Sequence, residues 1–263
     1  MVVSLGTALI TGATAGIGAE FAVQLAARGH DLVLVARDEQ RLERMADALR
    51  GRGVGVEVLA ADLSEPAGVA RVVGRVDDET RPIEVVVNNA GFGLHTDFDL
   101  SPVEDEVRLL EVLATAPLRI NHAALRSMVA RGRGRIVNVT SVAAFAPLGS
   151  YSAAKAWLHT FSRWANAFYR PAGVTVTALA PGYVRTEFHA RVGLERSSMA
   201  PEWLWLNVEP VVRQALRDSD RGRAMSIPSA RYAVIARIAS ALPLGVISWV
   251  ARRERWGFSR RRG

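Results

Sequence analysis

The chain contains no cysteine, and of its 33 lysine and arginine residues only Lys155 is a lysine. The first absence excludes a disulfide framework, a thiolate metal site and a cysteine nucleophile, and it fits a reducing compartment. The second singles out a position. Arginine does not replace lysine where a compact point charge must sit beside a reacting group, because its guanidinium is broad, planar and permanently protonated. The one lysine stands four residues after Tyr151, in Tyr151-Ser152-Ala153-Ala154-Lys155.

Long apolar runs are also missing. The nearest to one, Tyr232 to Val250, holds Arg237 and two serines and is broken by Pro243 and Gly245. An arginine near a bilayer centre is costly, so a buried or interfacial helix is expected there instead of a membrane span. Met1 to Ile10 lacks a basic leader and runs straight into a glycine-rich turn, so no secretory signal is expected. The formal charge is +7, but Arg252 to Gly263 alone holds six arginines and one glutamate. The folded body is therefore close to neutral. That tail reads as a solvated terminus, with a weak contact to acidic lipid as the alternative; no nucleic-acid partner and no metal site are expected. The expected location is the cytoplasm, at most peripheral to a membrane.

What is present is an alternation of short β-branched runs with longer amphipathic stretches, the pattern of βαβ units around a parallel sheet. Strands are predicted at Thr7–Thr11, Asp31–Ala36, Val56–Ala60, Ile83–Asn88, Arg135–Thr140 and Val174–Leu179, with a seventh at Arg223–Ile227. Helices are predicted at Gly16–Arg28 and Asp38–Arg50, each followed by glycine. A long one runs from Ser101-Pro102 toward Met128 with a kink at Pro117, and another covers Ser150–Arg170. The fold class is α/β, a doubly wound Rossmann-type parallel sheet of about seven strands with helices on both faces. Residues 1–228 form the catalytic domain, and 229–263 add an apolar helix and the basic tail to the same domain.

The first strand leads into Thr11-Gly12-Ala13-Thr14-Ala15-Gly16-Ile17-Gly18, which opens the first helix. Gly12 permits the tight turn, Gly16 lets backbone N–H groups approach a pyrophosphate, and Gly18 lets helix and strand pack closely. Thr14 and Ile17 complete the cradle, and the phosphate charge meets the positive end of the helix. The second strand ends in Val35-Ala36-Arg37-Asp38. An acid at the place of Ala36 would bind a ribose 2′-hydroxyl and repel a 2′-phosphate; its absence beside Arg37 favours NADP over NAD. The alternative is a surface Arg37 paired with Asp38 or Glu39.

Tyr151 and Lys155 project from one face of a predicted helix, one turn apart. A nearby ammonium and an oxidised nicotinamide would stabilise the phenolate and lower the tyrosine pKa from near 10, so that it exchanges protons with an alcohol or ketone.

In order along the chain, the glycine turn is followed by Asp62 in Ala61-Asp62-Leu63, Asn88-Asn89-Ala90-Gly91, Ser141, Tyr151-x-x-x-Lys155, and Pro181-Gly182 with Thr186. From Thr7 to about Phe188 the chain thus resembles the short-chain dehydrogenase/reductase family of single-domain NAD(P)-dependent oxidoreductases. The resemblance implies that Tyr151 is the general acid in reduction and general base in oxidation. It implies that Lys155 holds the nicotinamide ribose and tunes Tyr151, and that Ser141 hydrogen-bonds the substrate oxygen. Asp62 with Leu63 would meet the adenine, Asn88, Ala90 and Gly91 would line the ribose, and Pro181, Gly182, Val184 and Thr186 would clasp the carboxamide. Relatives are typically dimers or tetramers, so a homo-oligomer is expected. Singly, Asp62 could cap a helix, the two asparagines could end a strand, and Ser141 could serve a turn.

Two departures stand out. The family's helix asparagine, which supports a water-linked proton relay to the lysine, falls here near Leu113. Asn121 lies eight residues on, roughly 80° around the helix and two turns away. Ser141 and Tyr151 are ten apart, where the family commonly has a dozen or more. The segment 186–207, with Phe188, Met199, Trp203, Trp205 and Leu206, suits an apolar ketone or secondary alcohol; these aromatics could equally pack a lid or a subunit contact. The expected activity is hydride transfer between NADP(H) and such a substrate. The alternatives are a catalytically weak nucleotide-binding sensor or scaffold, and a peripheral membrane module.

Overall fold

The computed structural model describes residues 5–94, 96–186, 200–243 and 245–246. Its seven strands are β1 (Thr7–Thr11), β2 (Asp31–Ala36), β3 (Val56–Ala60), β4 (Ile83–Asn88), β5 (Gly134–Val139), β6 (Val174–Leu179) and β7 (Met225–Ser226). All pair in parallel, in the order β3-β2-β1-β4-β5-β6-β7. Five strands match their predicted bounds. β5 lies one residue early, and β7 shrinks to two residues at the sheet edge.

The main helices are α1 (Gly16–Ala27), α2 (Glu39–Arg50), α3 (Pro66–Val76), α4 (Val103–Leu110), α5 (Ala116–Arg131), α6 (Ser150–Tyr169), α7 (Val208–Asp220) and α8 (Ala230–Ala241). Alternation along the strands splits the core in two. Ile10, Leu34, Val87 and Val137 face α1, α2 and α7, where they meet Phe21, Leu25 and Leu42. Leu9, Val33, Val86 and Ile136 face α3, α5 and α6, meeting Val72, Ile120 and Met128. Side chains of this size each contribute roughly 1.5–3 kcal/mol when fully buried, so the sheet is held from both sides.

The helix ends follow their residues, with one difference. Gly29 adopts φ +87° after α1, but Gly51, after α2, is right-handed at φ −60°; the left-handed residue is Gly53. The long helix predicted from Pro102 is interrupted by a wider π turn, Glu111–Thr115, between α4 and α5. Pro117 has no N–H for the carbonyl four residues back, and the extra residue in the π turn absorbs that mismatch. Among the described residues no helix is long and apolar enough to cross a membrane. The predicted tail, Phe188 and Met199 lie outside the described residues.

Candidate active site

The strand order reverses direction at β1 and β4, so the carboxyl ends of these strands open a crevice, the place where ligands bind in such sheets. A cleft of about 370 Å³ lies there, lined by Gly12, Thr14, Arg37, Arg41, Asp62 and Arg108 among others.

The glycine turn is built for close approach. Gly12 sits at φ +66°, and a Cβ there would lie 2.8 Å from Asn89 Nδ2; one on Gly18 would lie 2.2 Å from the Gly12 carbonyl. Gly16, at φ +55°, abuts Thr186, which brings the segment after β6 against the turn. The turn is braced from below by Asn89, whose Nδ2 donates to the Thr11 carbonyl at 2.8 Å. Thr11 Oγ1 accepts from the backbone N–H groups of Asn89 and Ala90 at 2.9 and 3.0 Å. Gly12 and Thr14 thereby line the cleft just ahead of the N-terminus of α1, an arrangement that fits a pyrophosphate.

At the adenosine end, Asp62 Oδ1 accepts from Ser64 N and Ser64 Oγ at 2.9 and 2.7 Å, while Oδ2 lies 3.9 Å from Arg37. Burial pushes its pKa up, but the Ser64 hydrogen bonds with Arg37 and Arg108 outweigh it and hold the carboxyl below its usual value. Asp38 does not hold Arg37. It caps α2, accepting from Arg41 N at 2.9 Å. That cap orients Arg41, whose guanidinium reaches the Thr14 carbonyl at 3.4 Å. Arg41 and Arg108, the latter 5.9 Å over the Phe92 ring, are site residues that the sequence reading missed. The signal for Arg41 was its position one helical turn after Arg37.

Ser141 and Tyr151, both half-buried, and the buried Lys155 lie beyond Gly91 and do not line that cleft. The Ser152 hydroxyl accepts from Leu148 N and donates to the Gly149 carbonyl, which fixes the first turn of α6 and with it Tyr151. Ser141 begins a short 3-10 turn, Val142–Phe145, its Oγ accepting from Ala143 N at 3.1 Å, and it lies close enough to Tyr151 to draw the phenol's pKa down. The ten-residue spacing therefore still brings the pair together, because the 3-10 turn leads almost directly into α6. Lys155 is buried; its Nζ donates to the Val139 carbonyl at 2.8 Å and lies 5.8 Å from the Tyr151 ring centre.

The expected lowering of the tyrosine pKa is not met by the protein alone. Desolvation pushes Tyr151 up to about 12, against the opposing effect of Ser141, and brings Lys155 down to about 8. In this environment Tyr151 is held as a phenol at neutral pH, the form that donates a proton.

The Asn88 side chain does not line the cleft. It is buried under the cleft, where Nδ2 donates to Asn138 Oδ1 at 2.9 Å. Asn138 Nδ2 in turn donates to Ser162, and Asn121 Nδ2 donates to Asn138 Oδ1 at 3.3 Å. Asn121 is thus committed to this network and takes no part at Lys155. Leu113, fully buried in the π turn, points a methyl at Gly91 from one side while Lys155 Nζ approaches from another. It packs with Leu109, Val112 and Ala154, against which Tyr151 also lies. Among the described residues no group of three acids or histidines is placed to hold a metal.

Pro181 and Gly182 lie against α8: a Cβ on Gly182 would strike the Tyr232 ring, and the Tyr232 hydroxyl accepts from Tyr183 N at 3.0 Å. Trp205 is buried against Tyr183, its Nε1 donating to Ala200, whereas Trp203 faces outward.

Comparison with known proteins agrees with this geometry. An oxidoreductase of Myxococcus xanthus is 32% identical over 256 residues, covering 96% of this chain and 98% of that one. A short-chain dehydrogenase from Sphingobium yanoikuyae, solved in complex with NADPH, is 39% identical with a TM-score of 0.83, covering 93% of this chain and 96% of that one. The bulky-bulky ketone specific alcohol dehydrogenase from Comamonas testosteroni is 34% identical with a TM-score of 0.78, over 92% and 96%. The family model for short chain dehydrogenase matches residues 6–197. With the glycine turn, the switch-point cleft and the Ser141–Tyr151–Lys155 cluster in place, the chain belongs to the short-chain dehydrogenase/reductase family of oxidoreductases.

Proposed function

We propose that the protein is an NADPH-dependent reductase of apolar ketones, running in reverse as a secondary-alcohol dehydrogenase. The observation that carries this reading is the half-buried pair Tyr151 and Ser141 beside the buried Lys155, which lies just beyond Gly91 at the edge of an arginine-rich cleft. Arg37 and Arg41, with no acid at Ala36, suit a 2′-phosphate, and NADPH is the ligand of the Sphingobium relative. The cofactor supplies the hydride. Gly12, Gly16 and the first N–H groups of α1 would hold its pyrophosphate, and Asp62, Leu63, Ala90 and Gly91 its adenosine. Thr14, Ile17 and the Pro181–Thr186 segment, with Val184, would complete the enclosure.

In the protein's own chemistry, Ser141 orients the carbonyl oxygen and Tyr151 Oη gives it a proton. The Lys155 ammonium stabilises the negative charge left on Tyr151. Apolar lining near Phe92 and Leu94, and the ketone named for the Comamonas relative, favour a bulky apolar substrate. A homodimer or homotetramer would cover the exposed aromatic ladder of α6, where Trp157 stacks on Phe161 and Trp164 on Phe168.

A panel of apolar and polar ketones, assayed with NADPH and with NADH, tests the reading. Turnover of bulky apolar ketones with NADPH supports it; turnover only with NADH, or only of polar ketones, sinks the assignment. Leu113 favours one second reading, a nucleotide-binding sensor with little turnover, because leucine can pass no proton. NADPH binding without reduction of any ketone, rescued by Leu113→Asn, would favour that reading.

A further inference from the structure

α8 carries an exposed apolar stripe that no described residue covers. Val234, Ile235, Ile238 and Leu242 lie within about a third of a helical turn of one another, and Val234 and Ile238 are 57% and 54% exposed. Trp203, 59% exposed, extends the stripe, because Arg231 in the first turn of α8 donates to its backbone carbonyl. In the sequence, the net charge of the chain is gathered from α8 onward. Residues 224–263 hold eight arginines and one acid, Glu254, which leaves 25 bases (33 less 8) and 25 acids (26 less 1) in residues 1–223. The entire formal charge of +7 therefore belongs to the α8 region and the residues after it. The nearby Glu202 is paired with Arg185 and adds no net negative charge.

We propose that α8 and Trp203 dock this protein on an anionic lipid surface, with the apolar stripe entering the interface and the arginines that flank and follow it meeting headgroups. An apolar stripe bordered by arginine, with a tryptophan at its rim, matches what such an interface takes. A second copy fits less well, because two stripes brought together would oppose charges of the same sign. The surface borders the substrate site. Tyr232 of α8 hydrogen-bonds Tyr183 and Leu204, and the Pro181 carbonyl accepts from Val142, the residue after Ser141. A docked molecule would thus hold its site close to the layer where apolar ketones dissolve, although lipid binding does not depend on the ketone assignment.

The test is flotation of the full chain with vesicles of phosphatidylcholine alone or mixed with phosphatidylglycerol. Wild type is expected to float with the anionic vesicles and to be released by salt. Val234→Asp combined with Ile238→Asp, and separately the six tail arginines changed to Gln, should each lower partitioning at least about tenfold. NADPH binding and reduction of a water-soluble ketone should be unchanged in both, so a failed ketone assignment would not resemble a failed docking surface. The tail variant lies outside the described fold and covers the case in which the double substitution unfolds α8. Equal flotation of wild type and the tail variant overturns the proposal, as does no flotation of wild type. Loss of a dimer in light scattering on Val234→Asp and Ile238→Asp, without vesicle binding by wild type, would assign the stripe to a second copy and also overturn it.

Discussion

The adenosine-end cleft and the catalytic cluster beyond it are built on opposite principles. At the adenosine end, Arg37 is 64% exposed and its ion pair with Asp62 spans 3.9 Å, so solvent screens it. At the catalytic end Lys155 is buried and Tyr151 half-buried, and desolvation, opposed at Tyr151 by Ser141, moves their pKa values in opposite directions, to about 12 and about 8. Exposed charges select a ligand at little cost to the fold. Buried charges gain reactivity but strain it, because a lysine brought from 10.5 to about 8 has its ammonium disfavoured by about 3 kcal/mol. Substitutions at one end should therefore change discrimination alone, and at the other chemistry and stability together.

The largest effect is expected at Tyr151. Tyr151→Phe removes the only proposed proton donor and should lower kcat about 10²–10⁴-fold while NADPH affinity stays within about twofold. Steady-state rates with a fluorescence titration check both halves.

Lys155→Met should lower kcat by about 10²-fold or more, yet leave the melting temperature unchanged or higher. It removes a buried cation at the cost of one unpaired acceptor, the Val139 carbonyl. A fall of several degrees would mean that the ammonium holds the fold together, and the contrast between the two ends would be lost.

At the adenosine end, Arg37→Ala and Arg41→Ala should each weaken NADPH about tenfold, the scale of one charge-assisted hydrogen bond, and leave NADH binding and melting temperature alone. Equal losses for both cofactors would show that these arginines do not read the 2′-phosphate.

The smallest effect is in pH. Below about 8 Lys155 is charged and Tyr151 protonated, the pair needed for reduction. As pH rises through about 8 the ammonium is lost while the phenol remains, so reduction should slow gradually. A rate that climbs to pH 9 and beyond would show that the charge on Lys155 does not assist the proton transfer.

Much of this was legible in the chain. The strand bounds came from apolar runs that only a sheet covered on both faces would bury, and the Tyr–Lys pair from a four-residue spacing on a helix. Other features depend on which face a side chain takes. Asn88 shares the face of Val86, so strand parity already pointed it into the sheet, while Asn89 turns to brace Gly12. The π turn was visible only as a kink at Pro117, because proline marks the disruption without fixing its register. The pKa values of Tyr151 and Lys155 could not be read at all, since they follow from burial and no pattern of residues states how dry a site will be.

That Tyr151, held as a phenol by desolvation, protonates the reduced carbonyl is the step on which the proposed reduction rests. It is tested most directly by single-turnover oxidation of bound NADPH on adding a bulky apolar ketone, in wild type and Tyr151→Phe. Rapid loss of NADPH absorbance is expected in wild type and a rate at least about 10²-fold lower in the variant, with both binding NADPH alike. A variant that reduces the ketone at the wild-type rate would contradict it.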